Sequence, residues 1–127
     1  MLRRSLILIA VVVSLLSSSY QRTHAQDTPT AQFGTPEERA KWPRTVDQAL
    51  DRLIEEVPAK NKREIRALKK ENLIRLHMGL GLYIRNFYGL RRGNKALRES
   101  THQQDPDGAS MVIIEAFWQR LQATPNI

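Results

Sequence analysis

Apolar residues in this chain recur every three or four positions, and no segment alternates apolar and polar residues as a half-buried strand does. At 3.6 residues per turn, this spacing places the apolar side chains in one stripe along a helix. Two series show it most clearly: Val46, Ala49, Leu50, Leu53, Ile54 and Val57, and then Met111, Ile114, Phe117, Trp118 and Leu121. We therefore predict an all-α fold, a small single-domain bundle of three main helices with one or two short ones.

The expected helix ends follow from residues that satisfy or break the hydrogen bonds of a terminal turn. Thr45 and Gln48 fit the capping box that opens the first main helix, and Pro58 ends it. Asp105 fits the cap of the last main helix, which ends near Gln122. Between them the pattern predicts a short helix docked by Ile65 and Leu68, a central main helix from about Glu71 to Tyr88 with Gly89 as its stop, and one turn around Ala96 and Leu97.

The N-terminus has the order of regions that is typical of a cleavable signal peptide. Arg3 and Arg4 precede an apolar run from Leu6 to Leu16, and the small residues of Thr23-His24-Ala25 favour a cut before Gln26. The alternative, an uncleaved membrane anchor, needs roughly 20 apolar residues, and this run is shorter. We expect an exported protein, periplasmic or secreted, with no transmembrane anchor after cleavage.

Cleavage would leave one small domain without disulfide bonds. We divide the chain into a signal peptide (1–25), a flexible linker (26–41), a helical domain (42–122) and a C-terminal tail (123–127). The full chain has a net charge of +7, and removal of three N-terminal arginines leaves 102 residues at +4. Because the chain contains no cysteine, a mature domain of this size depends on helix packing for its stability.

Two glycines interrupt the predicted central helix. Gly79 and Gly81 each cost about 1 kcal/mol relative to alanine inside a helix, so some other feature is expected to offset them. We favour close approach of another helix to the bare backbone, and the alternative is a surface groove or kink where a ligand or partner meets it. A nucleotide loop is not indicated, because no strand precedes the glycines and the third glycine of the dinucleotide motif is missing.

The same region contains the run His77-x-Gly79-Leu80-Gly81-x-x-Ile84-Arg85-Asn86-x-x-Gly89-Leu90, followed by Gly93-Asn94-x-x-Leu97, with Trp42-Pro43-x-Thr45 before it and Asp105-Pro106-Asp107-x-Ala109-Ser110 after it. This pattern resembles the hallmark of an uncharacterised bacterial domain family that usually occurs in exported proteins. The resemblance covers about residues 42–122. It implies a single small helical domain in which His77, Gly79, Gly81, Gly89, Asp105 and Asp107 are structural motif residues. It supplies no function, and Arg91-Arg92 departs from the pattern, where an aromatic residue is expected.

The polar residues of this motif have both a structural and a functional interpretation. We favour a core histidine at position 77, an ion pair between Arg85 and Asp105 or Asp107, and a turn capped by Asn86 or Asn94. The functional alternative makes Arg85, Asn86 and Asn94, with Arg91 and Arg92, the rim of an anion- or peptide-binding cleft. On an unbroken helix Arg85 lies about 80° from His77 and Asn86 about 180°, so one cluster of the three is not expected.

The residues that metal binding or catalysis would need are not found at suitable spacing. His24 would leave with the signal peptide, and no helical ligand stands three or four residues from His77, so we predict no metal and no cofactor. No nucleophile triad or paired carboxylates are recognisable, and we predict no catalytic residue. A small enzyme with a cleft near His77, Arg85 and Asn86 remains the alternative function.

The charge is concentrated in the middle of the chain. Residues 59–98 contain 12 basic residues against Glu64 and Glu71, whereas the segments 26–58 and 99–127 are each acidic. The acidic helices either fold back and neutralise the middle, or leave a basic face that attracts an acidic protein or an anionic envelope component. We expect neither nucleic acid as a partner nor catalysis, and we predict a non-enzymatic interaction module with a basic face.

Overall fold

A computed structural model describes residues 33–127, and this part of the chain contains seven helices and no strand. The all-α class is therefore confirmed, while the predicted signal peptide lies outside the described residues. None of the seven helices is long and apolar enough to cross a membrane. In chain order they are α1 (Pro36–Lys41), α2 (Val46–Glu56), α3 (Ala59–Ala67), a 3-10 helix (Lys70–Leu76), α4 (Leu80–Phe87), α5 (Lys95–Ser100) and α6 (Pro106–Gln122).

Helix α6 lies at the centre of the domain. It contacts α2, α3, α4 and the 3-10 helix, so its buried residues are not confined to one narrow stripe. Ile113 and Ile114 are neighbours in sequence and both are fully buried, together with Phe117 and Leu121. The prediction that residues 71–88 form the central helix is therefore wrong, because the longest helix, α6, occupies that position.

The predicted caps of the main helices are confirmed. The Thr45 side chain accepts a hydrogen bond from the Gln48 backbone N–H at 3.2 Å. The Gln48 side chain accepts from the backbone N–H of Arg44 at 2.9 Å, one residue earlier than a standard capping box would have it. At α6, Asp105 Oδ1 accepts from the Gly108 N–H at 2.8 Å.

The single helix predicted over residues 71–88 is two helices. The chain leaves the α-helical region at Gly79, which has φ −97° and ψ −89°. Before this break the 3-10 helix has three residues per turn, so Leu73 and Leu76 lie on one side of it. Leu73 is buried and Ile74 is exposed.

The N-terminal part of the domain is fixed to the turn after α4. The buried ring of Trp42 lies directly against Gly89, which has φ +78°. The Asn94 amide donates hydrogen bonds to the backbone oxygens of Pro43 and Tyr88, both at 2.7 Å. Helix α1 precedes this contact, at the C-terminal end of the segment predicted as a linker.

Candidate functional site

Arg85 lies inside the domain with only 1% of its surface exposed. Its Nη1 donates to Ser110 Oγ at 2.9 Å and its Nη2 donates to the His77 carbonyl at 3.0 Å. Its Nε lies 3.2 Å from Asp107 Oδ1, although it has no hydrogen-bond partner of suitable geometry among residues 33–127. The predicted ion pair with Asp107 is confirmed, and the guanidinium joins α4, the break before it and the first turn of α6.

Gly81 provides the space that this guanidinium occupies. A Cβ added at Gly81 would lie 2.8 Å from Arg85 Nη1 and 3.5 Å from Ile114 Cδ1 of α6. The nearest group at Gly81 is therefore a side chain of the same helix, and α6 comes only to ordinary van der Waals distance, so the predicted close approach of another helix is wrong at this glycine. At Gly79 the same prediction is wrong, because an added Cβ would meet nothing within 4 Å.

His77 and Arg85 come together because the helix is broken between them. His77 Nδ1 is 3.5 Å from Arg85 Nη1, although an unbroken helix would keep the two side chains apart. The His77 ring is half-buried, where a core histidine was predicted, and its Nδ1 faces the guanidinium. Arginine only donates, so a hydrogen bond here needs the lone pair of His77 Nδ1.

The remaining predicted cleft residues are distributed over different places. Asn94 is buried, and its Oδ1 accepts from the Leu97 N–H at 3.2 Å, so the predicted cap is confirmed at this asparagine. Asn86 is exposed and lies with Arg92 in a recess of about 470 Å³ beside Phe87. The structure therefore joins Asn86 to Arg92 and separates both from the buried Arg85.

Arg91 lies in a different recess, which we name the basic pocket. It has a volume of about 670 Å³. Its lining consists of Leu90, Arg91, Gly93, Asn94, Lys95, Arg98 and Pro106. These residues supply three cations and no carboxylate, whereas the recess beside Phe87 includes Glu38.

The acidic segments neutralise only part of the basic middle. Lys70, Arg91 and Arg92 form ion pairs with Glu115, Asp107 and Glu38, respectively. Seven of the 12 basic residues have no ion pair within the described chain: Lys60, Lys62, Arg63, Arg66, Lys69, Arg75 and Arg98. Both expectations about charge therefore hold in part, and a basic surface remains.

A cluster around Glu56 was not predicted from the sequence. Tyr83 and Tyr88 each donate their hydroxyl to Glu56 Oε2, at 2.7 and 2.8 Å. Arg52 pairs with Oε1 of the same carboxylate at 2.8 Å and lies over the Tyr88 ring. Burial raises the pKa of Glu56, but the two tyrosine hydrogen bonds and Arg52 together outweigh it, so the pKa is lowered. Burial and the bond to Glu56 raise the pKa of Tyr83 to about 12 and raise that of Tyr88 further.

The Glu56 cluster predicts a specific acid response. Because the folded-state pKa of Glu56 is below its unfolded value of 4.5, its stabilisation is complete above that pH and is lost as pH falls through the folded value. We expect Glu56→Gln to cost about 1 kcal/mol at neutral pH and progressively less below pH 4.5. Urea unfolding across this pH range measures the gap, and a gap that widens on acidification would contradict the assignment.

A largely apolar groove lies beside the Glu56 cluster, and Glu56 and Tyr83 are part of its lining. It has a volume of about 580 Å³, and its floor includes Ile65, Leu68, Leu76 and Leu80. Gly79 lies at its edge, where the missing side chain leaves the groove open. The alternative interpretation of Gly79 was a groove at its backbone, and the lining of this groove includes Gly79.

Metal-ligating side chains are not grouped in the domain. Residues 33–127 contain no group of three or more histidine, aspartate or glutamate side chains that could hold a metal ion.

Comparison with known protein families yields a match over most of the domain. A family described as a domain of unknown function (DUF6794) matches residues 42–121. The matched range begins at Trp42 and ends at Leu121, so it includes α2 to α6 apart from the last residue of α6. No curated protein and no solved structure matches the chain.

Proposed function

The chain belongs to the DUF6794 family of domains of unknown function, and we propose that it is a non-enzymatic binding module whose basic pocket receives carboxylate side chains of a partner protein. One observation carries this proposal: three cations and no carboxylate line the basic pocket. Two of these cations have ion pairs with carboxylates outside the lining, Asp107 and Glu99. An acidic segment would still meet an excess of positive charge at this recess, and like-charged partners would be repelled.

The side chains of the basic pocket suit carboxylates in particular. Arg91 and Arg98 present planar guanidinium groups that can bind both oxygens of a carboxylate, while Lys95 adds a point charge. Arg91 is already oriented by Asp107 Oδ1 at 3.4 Å, so less side-chain freedom is lost on binding. Arg98 has no ion pair among the described residues and is available to a partner.

The shape of the basic pocket favours a protein segment over an extended anionic surface. Leu90 and Pro106 form apolar parts of its lining, and they can contact the methylene groups of a glutamate or aspartate side chain. A recess with apolar walls and cationic groups recognises a protruding acidic side chain. An anionic envelope component is the competing ligand.

A peptide titration tests the basic pocket. We expect a glutamate-rich peptide to bind the wild type, and Lys95→Glu/Arg98→Glu to weaken binding at least about ten-fold, or ~1.4 kcal/mol. The matched control is Lys69→Glu/Arg75→Glu, which makes the same change in net charge at another exposed site. A glutamine-rich peptide of the same length should not bind. Equal weakening by the two double variants would contradict the proposal, as would binding to an anionic glycan with no binding to the peptide.

We also place this function outside the cytoplasm, in the periplasm or the medium. The support is the order of charged, apolar and small residues over positions 1–25. Mass spectrometry of the protein recovered from cell fractions should give an N-terminus at Gln26. An intact N-terminus in the cytoplasmic fraction would contradict the proposed location and would leave the peptide titration unaffected.

A further inference from the structure

Two large apolar side chains are exposed in the 3-10 helix and in the turn that follows it. Ile74 is 63% exposed and Met78, four residues later, is 70% exposed. Leu73, the neighbour of Ile74 in sequence, is buried. Exposure of neighbouring large apolar residues costs solvation free energy, and such patches often mark binding surfaces.

A recess of mixed polarity lies on one side of this helix, and the apolar groove lies on the other. In the first recess, Leu73 and Ile74 meet Met111 and Val112 of α6, and the polar part of the lining is Lys70, Glu71, Gln103 and Glu115. On the other side lies the apolar groove, whose edge at Gly79 follows Met78 directly. The apolar surface around the 3-10 helix is therefore larger than two side chains.

Basic residues outnumber acidic ones in the segment that contains Ile74. Lys69 lies five residues before Ile74 and Arg75 directly after it, and neither has an ion pair among the described residues. From residue 60 to residue 75 the chain has seven basic residues against Glu64 and Glu71. Glu71 is exposed on this helix. It lowers the net charge of this segment, which remains positive.

We propose that the surface formed by Lys69, Ile74, Arg75 and Met78 docks onto the anionic headgroup region of a lipid bilayer. Exposed apolar side chains beside basic residues are the combination with which interfacial segments bind membranes, because the apolar groups insert shallowly while lysine and arginine meet acidic headgroups. This docking surface is separate from the basic pocket, and its test does not depend on the proposed function.

A second copy of the chain is the main competing occupant. Two copies of the docking surface would bring two segments of the same positive sign together, and like charges at a desolvated interface are repelled. An anionic bilayer has the opposite sign. Charge complementarity therefore selects the lipid surface over self-association.

Vesicle binding tests the docking surface. The probe is vesicles of phosphatidylglycerol mixed with phosphatidylcholine, compared with vesicles of phosphatidylcholine alone, and every protein is used in the form recovered from the cell. We expect the wild type to bind only the anionic vesicles, and Ile74→Ser/Met78→Ser to weaken binding at least about ten-fold. Lys69→Glu/Arg75→Glu should weaken it by about five-fold or more for each charge removed, and added salt should weaken wild-type binding.

Two control proteins and one hydrodynamic measurement make the vesicle test decisive. Lys95→Glu/Arg98→Glu has the same net charge as the Lys69/Arg75 variant, and Phe87→Ser removes another exposed apolar side chain; both should bind anionic vesicles as the wild type does. Equal binding by the wild type and Ile74→Ser/Met78→Ser would overturn the proposal. A concentration-dependent dimer that disappears in Ile74→Ser/Met78→Ser, without vesicle binding by the wild type, would assign the surface to a second copy.

Discussion

Replacement of Arg85 by methionine is expected to lower the free energy of unfolding by about 3 kcal/mol. The guanidinium makes two hydrogen bonds, to Ser110 Oγ and to the His77 carbonyl, and each bond to a charged group contributes about 1.5–3 kcal/mol. Methionine fills much of the space and avoids burial of a charge, which offsets part of the loss. Because small domains are stable by only about 5–15 kcal/mol, urea denaturation should show a large shift in midpoint.

Arg91→Met is the matched control, because Arg91 contacts the same Asp107 carboxylate from the protein surface. Exposed ion pairs contribute about 0–1 kcal/mol, so the control should be nearly neutral. If Arg85→Met were as stable as the wild type, Arg85 would not be a structural residue. The functional interpretation of the cleft near His77 and Arg85 would then regain support.

Replacement of Gly89 by alanine is expected to cost about 3–4 kcal/mol, through two separate effects. The residue has φ +78°, and a left-handed conformation costs an L-residue about 1–2 kcal/mol. The new Cβ would also overlap the Trp42 ring, since it would lie 2.5 Å from Cδ2 and closer still to Cε2. The ring is buried, and overpacking of this kind costs roughly 1–3 kcal/mol.

A second glycine separates these two effects. Gly93 also has a positive φ, +95°, but the nearest neighbour to an added Cβ there is Phe33 Cδ1 at 3.3 Å, and Phe33 is exposed. Gly93→Ala should therefore show the conformational cost alone. In a double-mutant cycle, Trp42→Ala should remove the steric part of the Gly89→Ala cost. Purely additive effects would contradict the contact between the Trp42 ring and Gly89.

The parts of the fold that were predictable depend on local physics. Thr45 and Asp105 cap their helices through bonds to residues three positions away, and the left-handed stop at Gly89 requires no distant partner. The ion pair of Arg85 with Asp107 was also predictable, because a basic residue in an apolar segment needs an acidic partner for its charge and few acidic residues are available.

The rest depends on contacts between residues that are distant in sequence. Tyr83 and Tyr88 lie 27 and 32 residues after Glu56 in sequence and donate hydrogen bonds to it. The periodicity of the sequence does not predict these contacts. A kink at Gly79 and Gly81 was only the alternative interpretation, since a sequence pattern of 3.6 residues cannot show where tertiary packing selects a 3-10 helix. Because an unbroken helix was favoured, the proximity of His77 to Arg85 was not predicted. The basic pocket was missed as a unit because Arg98 joins Arg91 and Lys95 only when α5 folds.

The measurement that tests the central claim most directly is an NMR titration of the isotope-labelled protein with the glutamate-rich peptide. Backbone amide shifts report where the peptide binds. We predict the largest shifts at Arg91, Lys95 and Arg98, and their loss in the Lys95→Glu/Arg98→Glu variant. Shifts that are centred on the 3-10 helix, or that spread evenly over all exposed basic residues, would contradict the basic pocket as the binding site.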